Sequence, residues 1–194
     1  MHHIYHTHGF VLSSRNIGEA NKILTVYTRE MGLVRAMVQG VRLHKSKLRF
    51  VLQDFFYAKI DLVKGRDIWR ITSATSLNSF PYARKNRESL ILIVRISKLL
   101  ERLCGQEEAN ERIFDDFIQA LLLLDNENIS VESREALELH LVLRIMNTLG
   151  YIGDSDKLNS YLQTDFDDNK IENLLRERQS IIAHINKALN ESQL

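Results

Sequence analysis

Between residues 42 and 49 the chain places Arg42, Lys45, Lys47 and Arg49, with His44 among them, in a run that no Asp or Glu interrupts. Four permanent cations this close together suit a nucleic-acid backbone. Each can neutralise a phosphate and release a condensed counterion, and flexible cationic side chains satisfy phosphate oxygens without reading any base. Arg15, Lys22, Arg29 and Arg35 add to the same excess upstream. Taken alone, the run could also be a solvated loop. Its setting argues for more: the first eighty residues carry twelve Lys/Arg against five Asp/Glu and the remainder fourteen against twenty, halves of about +7 and −6 inside a net charge of +1. A polyanion would attract the first half and be repelled by the second, which suits protein partners better.

Other residue groups offer weaker chemistry. From Tyr82 to Leu103 a helical wheel gathers Arg84, Arg87, Arg95, Lys98 and Arg102 opposite an apolar face, with Ile91 inside the basic stripe and Val94 at its edge. This is either ordinary solvated surface or a docking site, through Ile91, Arg95, Lys98 and Arg102, for an acidic peptide with an apolar end. Phe10, Tyr27, Phe50, Tyr57 and Trp69 could stack on bases, worth about 1–3 kcal/mol per base where a ring is exposed, although most rings in a small barrel belong to its core. His2, His3, His6 and His8 could bind a transition metal adventitiously, and Asp165-Phe166-Asp167-Asp168 reads more simply as helix capping than as a cation site. No Gly-rich phosphate loop and no Ser/His/Asp arrangement can be read from the spacing, so neither an enzyme nor a cofactor is expected.

The elements that would position the cationic run are strands. Short strands are expected from Val11 with a loop at Ser13-Ser14-Arg15, over Lys22–Thr28, Leu33–Val38, Phe55–Val63 and Ile68–Thr72, their composition branched and aromatic and their boundaries marked by turn residues. Five short strands in about seventy residues indicate a small barrel. The only proline, Pro81, follows the last strand and suits a first helical turn, which places a boundary at Phe80. Beyond it the periodicity predicts helices over Tyr82–Leu103, Glu107–Leu124, Val131–Leu149 (capped by Ser130 and Gly150) and Asp168–Leu189, with a short turn over Asp156–Leu162. The fold class is therefore α+β: residues 1–80 a five-stranded barrel, 81–194 an all-helical domain. Lone Cys104, the lack of an apolar run long enough to span a bilayer and the lack of a signal-like N-terminus fit a cytoplasmic protein with no membrane partner.

Three stretches carry a resemblance. Arg15-Asn16-Ile17-Gly18-Glu19-Ala20-Asn21-Lys22-Ile23-Leu24-Thr25, Thr28-Arg29-Glu30-Met31-Gly32, and Gly40-Val41-Arg42 with Lys45-Ser46-Lys47-Leu48 resemble the N-terminal region of the bacterial RecO family of DNA repair and recombination proteins. Leu149-Gly150-Tyr151-Ile152 resembles that family's sequence at the end of a long C-terminal helix. The resemblance implies an N-terminal OB-fold joined to a helical domain and a nucleoid-associated location. It implies a non-catalytic protein that binds single- and double-stranded DNA, anneals complementary strands and helps load recombinase onto strands coated with single-stranded DNA-binding protein. RecR and the acidic C-terminal tail of that binding protein are the implied partners. Carried over, the family's DNA-binding loop falls on Arg42, Lys45, Lys47 and Arg49, and its Gly-Glu turn on Gly18 and Glu19. Two departures stand out: Gly153–Thr164 lacks the four cysteines of the zinc module many members carry, so no structural zinc is expected, and Asp54 occupies a position where the family usually has proline. A protein-only adaptor with a degenerate barrel and an RNA-binding barrel protein are the rival readings.

Overall fold

The computed structural model describes residues 3–152, 158, 161–162 and 173–191. They fall into two compact units, one of residues 1–81 and 93–114, the other of 82–92 and 115–194.

In the first unit, strands β1 (Ile4–Ile17), β2 (Asn21–Thr28), β3 (Gly32–Val38), β4 (Tyr57–Lys64) and β5 (Trp69–Asn78) close into a barrel in the order β1-β2-β3-β5-β4. The barrel is a five-stranded OB-fold. Closure depends on the length of β1: its first part pairs with β4 (Ile4 opposite Val63) and its second with β2 (Ile17 opposite Asn21), Gly9 and Phe10 pairing with both, and a bulge follows between Val11 and Ser13. A short parallel contact, Ala36 opposite Trp69, joins β3 to β5. Val11, Leu24, Val26, Val34, Ala36, Val38, Ile60, Leu62 and Ile71 fill the interior, as period-two alternation on these strands requires.

The strand beginning at Val11 is thus only the second half of β1. The histidine-rich segment before it is ordered strand, with His6 Nδ1 2.6 Å from Asp61 Oδ1. Strands β4 and β5 start later than expected, and β5 runs on to Asn78. Phe55, left outside β4, takes a positive φ while its N–H donates to the Val11 carbonyl.

Four helices follow a short α1 (Leu48–Val51) and α2 (Pro81–Lys85): α3 (Arg87–Leu103), α4 (Glu111–Leu124), α5 (Val131–Thr148) and, among the described residues, α6 (Arg178–Glu191). The continuous helix expected from Tyr82 breaks at Asn86, whose side-chain oxygen accepts from the Ser89 N–H at 3.0 Å and so starts a new helix. Asp125 does the same for α2, accepting from the Tyr82 and Ala83 N–H groups. α5 begins and ends as its sequence requires. Ser130 Oγ accepts from the Ser133 N–H, and Gly150, at φ 78°, lets its own N–H reach the Asn147 carbonyl and that of Tyr151 the Met146 carbonyl. Arg144 and Asp116 tie α5 to α4 through a largely buried ion pair, 2.6 Å at its shortest. The expected helix starts at Asp156 and Asp168, with Asp165 and Asp167, lie outside the described residues.

The helix expected from Glu107 starts only at Glu111, and residues 104–110 instead run as a strap along the first unit. Gln106 bridges to Leu33, the Glu107 N–H donates to the Leu33 carbonyl at 3.0 Å, and Glu107 has a positive φ of 57° that a helix would not tolerate. The Glu107 carboxylate accepts from Trp69 Nε1 at 2.8 Å and from Lys64 Nζ at 3.0 Å. These bonds, that to Trp69 foremost, hold the carboxyl below its ordinary value. A group whose pKa is lowered by folding stabilises above the unfolded value, and that stabilisation is lost as the pH falls through the folded one. Because the carboxylate is half exposed, the stabilisation is small. An NMR titration should place the Glu107 midpoint below that of an ordinary glutamate, with the Trp69 indole N–H signal moving in step; an ordinary midpoint would mean that the clasp does not form in solution.

Candidate nucleic-acid interface

After Val38 the chain leaves the sheet, and its first polar groups are taken up by the β1–β2 turn. The Gly40 N–H donates to Asn21 Oδ1, the Arg42 N–H to the Ala20 carbonyl and Arg42 Nη1 to the Gly18 carbonyl, each at 2.9 Å. Val41 is buried in the barrel core beside these bonds. At the other end, Leu48 and Val51 pack against the same core and Leu52 is fully buried within it. The segment 39–52 is therefore a short arm tethered at both ends. The loop expected from its sequence closes with a helical turn, because apolar residues at 48, 51 and 52 fall on one side of a helix and have a core to cover.

That anchoring presents the cations to solvent. Arg42, Lys45 and Lys47 are exposed and Arg49 is half-buried. Among the described residues none of the four forms an ion pair with a carboxylate. Arg42 keeps its charge and most of its donors after the bond to Gly18. Arg49 folds back, Nη1 3.3 Å from His44 Nδ1 and its guanidinium carbon 4.4 Å from the centre of the Phe50 ring.

The other three predicted cations divide. Lys22 sits opposite Val38 in the β2–β3 register, at the root of the arm, and donates to Ser14 Oγ at 3.3 Å. Arg15 and Arg35 instead line a pocket of about 250 Å³ with Leu33, Trp69, Asp67 and Glu107, a surface of mixed charge. Of the aromatic residues, Phe10, Tyr27 and Trp69 are buried and Tyr57 is half-buried, while Phe50 is 59% exposed. Tyr27 packs against Phe114, and burial, with the Cys104 thiol adding to it, pushes its phenol far above the ordinary value. The alternation of β2 could not reveal this, because both faces of the strand are covered.

On α3, Arg95, Lys98 and Arg102 are exposed along one face of the first unit, and the neighbouring Glu101 accepts from Ser13 Oγ at 2.9 Å. Ile91 precedes them on the helix but is half-buried and belongs to the other unit. Among the described residues no three His, Cys, Asp or Glu side chains converge on a common point, and no helix is long and apolar enough to cross a membrane. Most of Gly153–Thr164 lies outside the described residues.

Family models described as Recombination protein O N terminal and Recombination protein O C terminal match residues 1–80 and 84–158. The chain belongs to the RecO family. Among similar curated proteins, the DNA repair protein RecO of Pelotomaculum thermopropionicum is 31% identical over 148 residues, covering 76% of this chain and 56% of that protein. The DNA repair protein RecO of Alkaliphilus metalliredigens is 30% identical over 137 residues, 70% of this chain and 56% of the relative. That of Acaryochloris marina is 35% identical over 132 residues, 67% and 44%. The chain thus spans about half the length of the curated relatives it matches. In this RecO-family chain, the N-terminal match ends at the last residue before Pro81 and takes in the whole barrel and arm.

Proposed function

We infer that this RecO-family chain acts in DNA repair and recombination as a non-enzymatic mediator. It grips the backbones of single- and double-stranded DNA with the arm, anneals complementary strands, and assists recombinase loading on strands coated with single-stranded DNA-binding protein. The observation that carries this reading is the set of cations at Arg42, Lys45, Lys47 and Arg49, presented from an OB-fold by an arm anchored at both ends and unmatched by carboxylates among the described residues. A cation already paired within the protein would have to give up its carboxylate to neutralise a phosphate, whereas an unmatched one can displace a condensed counterion from the strand directly. Phosphate contacts of this kind carry no base sequence, so binding is tolerant of sequence. RecR and the acidic tail of single-stranded DNA-binding protein are the protein partners of this reading, the tail meeting the exposed Arg95, Lys98 and Arg102.

Annealing of complementary oligonucleotides, with and without single-stranded DNA-binding protein, tests the whole. The chain should accelerate annealing in both settings. Reversing the charges with Arg95→Glu, Lys98→Glu and Arg102→Glu should slow annealing of the coated strands and leave naked strands nearly unaffected. Absence of annealing with retained protein binding would point to an adaptor, and preference for RNA over DNA of matched length to an RNA-binding barrel protein. Annealing of coated strands that survives the reversal would place the tail elsewhere.

A further inference from the structure

Resting on the reading of the arm as a backbone clamp, we propose that Phe50 is a stacking platform for one unpaired nucleobase, so that the arm favours single strands over fully paired duplex. Helical geometry puts Phe50 where it is. With Leu48, Val51 and Leu52 turned into the barrel core, residue 50 lies about 160–200° around the turn from Leu48 and Leu52 and must face away. Its ring is 59% exposed, and within the arm the other large exposed apolar side chain is Leu43.

A lone exposed phenylalanine is unremarkable on most surfaces. Two observations set this one apart. The Arg49 guanidinium lies 4.4 Å from the ring centre, which holds a cation against the aromatic face. The ring is also flanked in sequence by the cations assigned to the backbone, with Lys47 three residues before it. A nucleotide whose phosphate is neutralised by Lys47 or Arg49 brings its base within reach of that ring. The base then gains stacking on the phenyl ring or on the guanidinium plane beside it, whereas a paired base, already stacked in its duplex, gains nothing. Of the other aromatic rings named from the sequence, Phe10, Tyr27 and Trp69 are buried and Tyr57 is half-buried within β4, away from the arm.

The test compares a thymidine oligomer with an abasic oligomer of equal length, which keeps the phosphates and lacks the bases. Phe50→Ala should weaken binding of the thymidine oligomer about tenfold and leave the abasic oligomer unchanged. Phe50→Trp should retain the affinity, and the emission of the new indole should be quenched by the thymidine strand and not by the abasic one. Equal loss on both strands, no loss on either, or an unquenched indole in a complex that still forms would each overturn the platform. Failure of the backbone reading looks different: the wild-type chain would bind neither oligomer, or replacement of all four arm cations would leave abasic binding intact, and either result removes this inference with it.

Discussion

Replacing Arg42, Lys45, Lys47 and Arg49 together by alanine is expected to abolish most of the salt dependence of DNA binding. If each cation displaces one counterion from a single strand, the wild-type chain should show a log–log salt slope of roughly −3, from about −0.7 per contact. Raising monovalent salt from about 50 to 200 mM should then weaken it on the order of 50-fold. The quadruple variant should bind far more weakly at the lower salt and change little at the higher. Lys45 and Lys47 are exposed, so their removal should cost within about 0.5 kcal/mol of stability each. Arg42 loses its bond to the Gly18 carbonyl, about 1 kcal/mol. Anisotropy of a labelled oligonucleotide across a salt series, with a thermal melt of each protein, separates lost binding from lost folding. An unchanged slope in the folded variant would remove the arm from the interface.

The second large effect concerns the fold that carries the arm. Gly32 opens β3 at φ 66°, and a Cβ there would collide with the Glu108 backbone, its carbonyl carbon and oxygen foremost. The strap has no room to retreat. Its neighbour Glu107 is held by the Leu33 carbonyl, Trp69 and Lys64 at once, and the Thr28 hydroxyl donates to the Gly32 carbonyl at 2.8 Å. Gly32→Ala is therefore expected to destabilise by about 3–5 kcal/mol, a large share of the roughly 5–15 kcal/mol of a typical domain. Gly150→Ala provides the comparison: φ is again positive at 78°, yet nothing lies within 4 Å of the new Cβ, so about 1–2 kcal/mol of backbone strain is all that is expected. Urea denaturation followed by circular dichroism distinguishes them, and equal midpoints would show that the strap yields.

Where local chemistry decides local structure, this chain could be read directly. Ser130 and Gly150 bound α5 because capping involves only neighbours in sequence, and β2 and β3 lie within a residue of their expected limits because β-branched runs between turns have one good conformation. The cationic run was visible because charge is a property of composition. Three features were not. The first half of β1 looks like a loose histidine-rich terminus until β4 is beside it, the closing turn of the arm needs a barrel core for Leu48 and Val51, and residues 104–110 become a strap because Leu33, Trp69 and Lys64 offer partners that a helix start would forgo.

The amino-acid sequence by itself determined the barrel-then-helices order, the family, and the identity of the cations. Tertiary structure alone decided which of them are presented together: it set Arg15 and Arg35 beside Asp67 and Glu107, left Arg42, Lys45, Lys47 and Arg49 without carboxylate partners among the described residues, and left Phe50 the most exposed of five aromatic candidates. The reason is physical. Charge and ring chemistry belong to each residue, whereas exposure and pairing depend on which distant segment packs against it.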